Sequence, residues 1–301
     1  MSHEPISAVK RELLVRHLEG WARSALHRGR RAAYVHGYAE ADGGAAAEAA
    51  VRVLADQPDL VRGRELSMIA VGDDVAPIAG RLAAVQREAG EAAGLSVHTV
   101  SGGTDARLPV ALKAAGAAGV PLLGYLDAAR ASEPPAPATV AALTAGKPAE
   151  VLLVLAPGVQ IAAYRAGWPL FTAVELATGE APGELLAFGT TSGKSLEGFK
   201  DALWAVDEFA GVRYRDPGDP DRHLIDISLN PHPGPLRREL LAHLGRVGSA
   251  TVTELRTFAL TETVYRAADA TRVLHALVDA GTVAREPSHG RLGGDVVVSV
   301  S

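Results

Sequence analysis

The sequence predicts an α/β protein in two parts: a doubly wound, mostly parallel sheet over residues 1–230, then a small helical domain with a β-hairpin over 231–301. Three observations carry this. Short, uniformly apolar runs alternate with helical periodicity as far as about residue 155, the pattern of parallel strands buried on both faces. The stretch Ala32–Gly44, A-A-Y-V-H-G-Y-A-E-A-D-G-G, passes from apolar strand through glycine turn to Ala-rich helix, as an open α/β domain of the nucleotide-cofactor type begins. After N-P-H-P-G-P at Asn230–Pro235 the pattern changes to three helices of modest length and two short strands.

Residues Ile6 to Arg28 read as an amphipathic helix, with Ile6, Val9, Leu13, Leu14, Leu18, Trp21, Ala25 and Leu26 at three- and four-residue intervals. It packs as core, at the sheet edge or over a cofactor mouth. Ala32–Val35 is the first strand and Ala45–Asp56 a helix stopped by Pro58. Leu66–Val71 is a strand, followed by a helix with Pro77 early in it that runs to about Ala93. Leu95–Val100 is a strand, Leu108–Ala118 a helix, Val120–Leu126 a strand. The Pro/Ala stretch Ser132–Thr139 reads as loop, and Glu150–Leu155 as another buried strand. Further on, Glu184–Phe188 and Leu224–Leu229 read as strands and Leu196–Phe209 as a helix. The turn Arg215–Asp221 (R-D-P-G-D-P-D) suits a late antiparallel hairpin.

In the second part the helices fall at Leu236–Leu244, Thr251–Phe258 and Val264–Ala280, and the strands at Thr282–Arg285 and Asp295–Val300. Three helices and a hairpin wing make a winged-helix module. Thr251 with Glu254 completes a capping box, and Gly281 is placed to end the third helix.

Composition narrows the function classes. Of 301 residues 48% are hydrophobic and 22% charged, a folded chain with ample core. A net charge of −5 gives no support to a broad electrostatic grip on nucleic acid. The absence of cysteine excludes disulfides, thiol catalysis and Fe–S ligation by this chain. Charged residues interrupt the N-terminal apolar positions, unlike a secretory signal, and no uncharged run has the length of a membrane span. The expected compartment is the cytoplasm, with no membrane partner.

The candidate site lies beyond the C-terminal ends of the strands, where open α/β sheets bind ligands. His36, Gly37, Tyr38, Asp73, Asp74 and Asp105 fall there as candidate cofactor-binding residues, and Asp127 as the candidate catalytic residue. A carboxylate after the second strand suits a ribose diol, since it can accept two hydroxyl hydrogen bonds. For any single acid, capping the following helix is the better reading, and an acid after each of three successive strands is what favours a ligand. G-T-T-S-G-K-S at Gly189–Ser195 imitates a phosphate loop, but it has three residues where the nucleotide version has four, and it comes after five α/β units. It reads as a helix N-terminal turn. The ten histidines form no i,i+4 pair, so no metal site is expected, and no G-x-S-x-G nucleophile elbow is present. Arg266 and Arg272 mark the presumed recognition helix, but Pro235–Ser301 holds eight arginines against seven acids, poor provision for binding duplex.

In order along the chain, K-R-E-L-L-V-R-H-L-E-G-W, Y-V-H-G-Y-A, V-G-D-D, L-L-G-Y-L-D and D-A-L-W-A-V-D resemble the three-Cys-motif partner family. The resemblance spans nearly the whole chain, in short motifs. It implies a class I methyltransferase-like, Rossmann-type sheet with a C-terminal winged helix, S-adenosylmethionine as cofactor and a three-Cys-motif protein as partner. It also implies that Asp73 or Asp74 holds the ribose and that Asp127 orients a methyl acceptor. The departures fall in the cofactor motifs. His36 stands where the family has an acid, Glu40 and Asp42 stand where it has glycines, and Gly72 aligns with its ribose-binding acid. Two carboxylates beside the methionine carboxylate of the cofactor would repel it and crowd the close backbone approach that glycine permits. The expectation is therefore a binding or regulatory scaffold with weakened or lost cofactor use. The alternatives are an active methyltransferase with an altered loop, and a nucleic-acid-binding regulator that uses the winged helix.

Overall fold

A computed structural model describes residues 4–90, 94–206 and 211–300. Strand β1 (Arg31–Gly37) lies in the interior of a nine-stranded sheet, parallel to β2 (Glu65–Gly72) on one side and to β4 (Leu122–Ala128) on the other. Beyond them lie β3 (Leu95–Ser101) and β5 (Ala149–Leu155), giving the parallel order β3-β2-β1-β4-β5. The order reverses at β1, as in a doubly wound, Rossmann-type sheet. The remainder is antiparallel: β7 (Glu184–Thr190) pairs with β5, then come β6 (Leu170–Ala177), β8 (Arg213–Arg215) and β9 (Leu224–Asp226). The hairpin expected around the R-D-P-G-D-P-D turn is β8–β9, with Arg215 opposite Leu224.

Strand side chains alternate between two layers, as the pleat requires. Tyr34, Leu123 and Tyr125 face α1 (Glu4–Arg28), α2 (Ala45–Ala55), α3 (Ala76–Glu88) and α6 (Gly193–Ala205). Val35, Leu122 and Leu126 face α4 (Thr104–Ala114) and α5 (Pro137–Ala142). Helix α1 lies on a face of the sheet, not at its edge, against α2 and α6. Its Leu13, Leu14 and Leu18 are fully buried, each worth roughly 1.5–3 kcal/mol of transfer energy.

Strand β6 is not among the expected elements; its Phe171, with Tyr164 and Trp168 ahead of it, packs into the α4–α5 side of the core. One sequence reading needs correction. Pro137–Thr139, read as loop, open α5, where the missing N–H of proline costs nothing in the first turn. Ala93 and Phe209, where two helices were expected to end, lie outside the described residues.

The C-terminal region folds as α7 (Gly234–Val247), α8 (Val252–Glu262) and α9 (Ala267–Asp279) with a small antiparallel sheet. That sheet holds β11 (Val283–Glu286) and β12 (Val297–Val300), plus β10 (Ser249–Thr251), too short to show as a periodic signal. The capping box forms as expected: Glu254 N donates to Thr251 Oγ1 at 3.1 Å, and Thr251 N to the Glu254 carboxylate at 2.7 Å. Gly281, at φ 66°, follows α9 and takes its N–H back to Val278.

The two regions share one buried cluster. Trp204 Nε1 donates to the Val264 carbonyl at 3.0 Å, Lys200 Nζ to the Thr263 carbonyl, and Val264 N to Asp216 at 3.0 Å. Trp204 also stacks on Tyr265 and meets Tyr214 edge-on.

Candidate cofactor cleft

Strand β1 ends with Gly37, where an added Cβ would come within 2.5 Å of Leu126 and 2.9 Å of Thr104, so a larger residue would push both side chains aside. Tyr38 follows at φ 54°, and its N–H donates to Thr104 Oγ1 at 3.0 Å. The loop then leans across β2: Ala39 N donates to the Val71 carbonyl at 3.0 Å, Ala41 N to Tyr38 and Gly43 N to Glu40. These N–H groups, which a cofactor loop would turn towards an anion, are spent within the chain.

The two acids in the loop take up the positions a cofactor would need. Asp42 Oδ2 accepts the Ala46 N–H at 2.8 Å, so the N-terminus of α2, a ready anion site, is filled by the chain's own carboxylate. Glu40 folds over the end of β2. Its Oε1 accepts the Asp73 N–H at 3.1 Å, and its Oε2 lies against Gly72, in the space where a side chain at position 72 would begin. That oxygen is buried without a hydrogen-bond partner among the described residues.

Of the candidate cofactor residues, Tyr38, Asp73 and Asp105 come together. Tyr38 is half-buried, and its hydroxyl is pushed above the usual tyrosine range by burial first, then by Asp105, Tyr164, Asp73 and Glu40. Asp105 is itself tied to the chain, accepting the Ala136 N–H at 3.1 Å. Asp74 is exposed at the start of the α3 turn.

His36 and Asp127 lie beneath, on the α1 side of the sheet. His36 is 1% exposed, and its Nδ1 meets the Tyr34 hydroxyl at 2.9 Å. Burial lowers its pKa to about 4 against the pull of Asp42 and Asp127, so the ring is neutral at pH 7. Asp127 is buried and engaged on every side. Its Oδ2 takes the Lys10 ammonium at 2.8 Å and the Tyr125 hydroxyl at 3.2 Å, and its Oδ1 the Ala129 N–H at 3.3 Å. Lys10 also reaches Glu184 at 2.8 Å, which makes a buried acid–base–acid triad. Burial opposes charging of Lys10, but Asp127 and Glu184 outweigh it and its pKa rises.

Sequence reasoning missed Lys10 and the placement of Glu40. A signal for Lys10 existed: it precedes Leu13 and Leu14 by three and four residues and so shares the buried face of α1. The residues present do not fit S-adenosylmethionine held in the usual way. The carboxylate of the cofactor would meet Asp42 at the helix terminus, its ribose would meet Glu40, and the candidate catalytic carboxylate is neutralised within the core.

Other charged groups give less. Arg266, the N-cap of α9, and Arg272 in its second turn both bond to Asp269, at 2.8 and 2.5 Å, with the Arg272 side chain 49% exposed. Asp219, Asp221 and His223 cluster on an exposed turn, where His223 already pairs with Asp219 at 2.7 Å. Among the described residues no helix is long and apolar enough to cross a membrane.

No protein-family model and no curated protein matches the chain. Solved structures similar to it include a spermidine synthase from Thermotoga maritima, at 13% identity and a TM-score of 0.36, over 64% of this chain and 66% of that one. A spermidine synthase in complex with the transition-state analogue AdoDATO is similar at 10% identity and a TM-score of 0.34, over 64% and 65%. The chain thus matches somewhat less than two thirds of the length of either. Both likenesses are distant, and the assignment of a mixed α/β protein with a large, mostly parallel, Rossmann-type sheet rests on the strand order itself.

Proposed function

We propose that the protein is a methyltransferase-fold relative of the three-Cys-motif partner family that has given up S-adenosylmethionine and acts as a cytoplasmic binding or regulatory scaffold. One observation carries this: the chain ligates its own cleft, with Asp42 on the N-terminus of α2 and Glu40 over Gly72. A cofactor would have to displace both carboxylates, expose the buried Oε2 of Glu40 to solvent and break the cap on Ala46. The division near residue 230 then gives a closed α/β platform and a C-terminal winged helix.

The winged helix is read as a docking element for protein, a three-Cys-motif protein in the family reading, because Asp269 holds both arginines of the presumed recognition helix. A nucleic-acid regulator would need those cations free. An active methyltransferase would need Asp127 accessible, and it is sealed by Lys10.

Calorimetric titration of the full chain with S-adenosylmethionine and S-adenosylhomocysteine tests the proposal. No heat of binding at about millimolar ligand is expected. Saturable binding with an affinity in the micromolar range or tighter overturns it.

A further inference from the structure

The G-T-T-S-G-K-S turn lies far from the cofactor cleft. Because β7 runs antiparallel to β5, its end at Thr190 pairs with Glu150 at the start of β5, at the opposite end of the strands. There the N-terminus of α6 faces the C-terminal half of α1 across a cavity of about 600 Å³. That volume is of the size that takes a small ligand.

The lining is cationic, in a protein whose net charge is −5. Arg23 and Arg28 from α1 and Lys194 from the first turn of α6 line the cavity, all exposed and without an ion-pair partner among the described residues. The two acids in the wall are already satisfied. Glu150 takes His17 Nε2 at 2.9 Å and the Ser195 hydroxyl at 2.6 Å, and Asp59 takes Arg62 at 3.3 Å. Arg16, also in the wall, is paired with Glu12. Ser192 caps the Ser195 N–H at 3.3 Å, but the N–H groups of Gly193 and Lys194, at the start of the helix, have no intrahelical acceptor. A second, independent feature is Trp21. It lines the same cavity at 5% exposure, and its indole N–H is buried with no partner among the described residues. A buried donor left unpaired costs stability unless something supplies an acceptor.

We propose that this cavity is a binding site for a phosphomonoester carrying a planar ring, in chemical class a nucleoside monophosphate. Lys194, the open turn of α6, Arg23 and Arg28 hold the phosphate, the arrangement that helix N-termini and basic side chains provide for phosphate. Trp21, its own ring packed in the core, offers an acceptor on the ligand's ring one unpaired donor. Lys194 thus has a phosphate to bind even though the motif is one residue short of a nucleotide-triphosphate loop. The site is separate from the cleft, so its fate does not depend on whether S-adenosylmethionine binds.

The test is calorimetric titration of the full chain with adenosine 5′-monophosphate, adenosine and inorganic phosphate, for wild type, Lys194→Glu, Arg28→Glu, Trp21→Phe and Glu40→Gly. Lys194 and Arg28 are exposed, so their variants should keep the wild-type circular dichroism spectrum. The monophosphate should bind more tightly than either adenosine or phosphate. Each charge reversal should weaken it roughly tenfold or more, Trp21→Phe severalfold, and Glu40→Gly not at all. Absence of binding at about 10 mM monophosphate overturns the proposal, as does wild-type affinity in Lys194→Glu. Markedly tighter binding in Glu40→Gly would move the ligand to the cleft and also overturn it. A single-stranded oligonucleotide that binds more tightly than the monophosphate and displaces it would make this a nucleic-acid surface instead.

Discussion

Replacing Lys10 with methionine removes the only cation of a buried triad and leaves Asp127 and Glu184, at 6% and 7% side-chain exposure, facing each other without it. Two contacts of 2.8 Å at an effective dielectric of about 20 are each worth about 6 kcal/mol before desolvation. Burying the ammonium cancels much of that, and the net loss on removing one partner of such a group is about 3–5 kcal/mol. Equilibrium urea unfolding of Lys10→Met should show that loss at pH 7. The triple variant Lys10→Met, Asp127→Asn, Glu184→Gln removes the charges together and should recover most of the stability. A loss below about 1 kcal/mol in Lys10→Met would mean that the triad is loose or hydrated, and the argument that Asp127 is sealed would fail with it.

Three further outcomes are expected. Glu40→Gly with Asp42→Gly should give a thermal shift with S-adenosylhomocysteine that the wild type lacks, at a cost of about 1 kcal/mol for the lost cap on α2; no shift would place the obstruction elsewhere. Burial pushes Lys200 down to about 7 from 10.5, so its contribution to stability grows as pH rises from about 7 towards 10.5. Glu239 is pushed up to about 8 by burial, then by Asp216 and Asp219, so its contribution is full below 4.5 and lost as pH rises through about 8. Calorimetric melting should therefore show a minimum near neutral to mildly alkaline pH, and Lys200→Met should abolish the alkaline rise. Duplex DNA should give no gel shift with the wild type at about 150 mM salt; a shift that weakens steeply with added salt would restore the nucleic-acid reading.

The architecture was legible where physics is local. Near-continuous apolar runs marked β1, β2, β4 and β5, and Thr251 three residues before Glu254 marked the cap of α8. Strand β6 was not legible, because its aromatic flank lies in the same hydrophobic stretch whether it makes a strand or a pocket wall. In the cleft, the acids at Glu40 and Asp42 were visible as departures from a glycine loop. Where the Glu40 carboxylate would turn was not, since that depends on Gly72 and Asp73 arriving from β2, whereas Asp42 binds only four residues ahead as a helix-capping acid does. The Lys10–Asp127 contact joins residues 117 apart, and no local pattern encodes a partner at that range. The G-T-T-S-G-K-S turn shows the same limit: its spacing could be read, but the end of the sheet it occupies depends on the direction of β7.

The carbonyls of Thr263 and Val264 that receive Lys200 and Trp204 have a bearing on ancestry. A gene broken at residue 230 would strand an ammonium and an indole inside the first half, with nothing to answer them. Shuffling a different tail onto the sheet would require the newcomer to present two acceptors at the same spacing, along with an aromatic ring to replace Tyr265. The two halves are therefore expected to have been inherited as a pair, each constraining what the other could become.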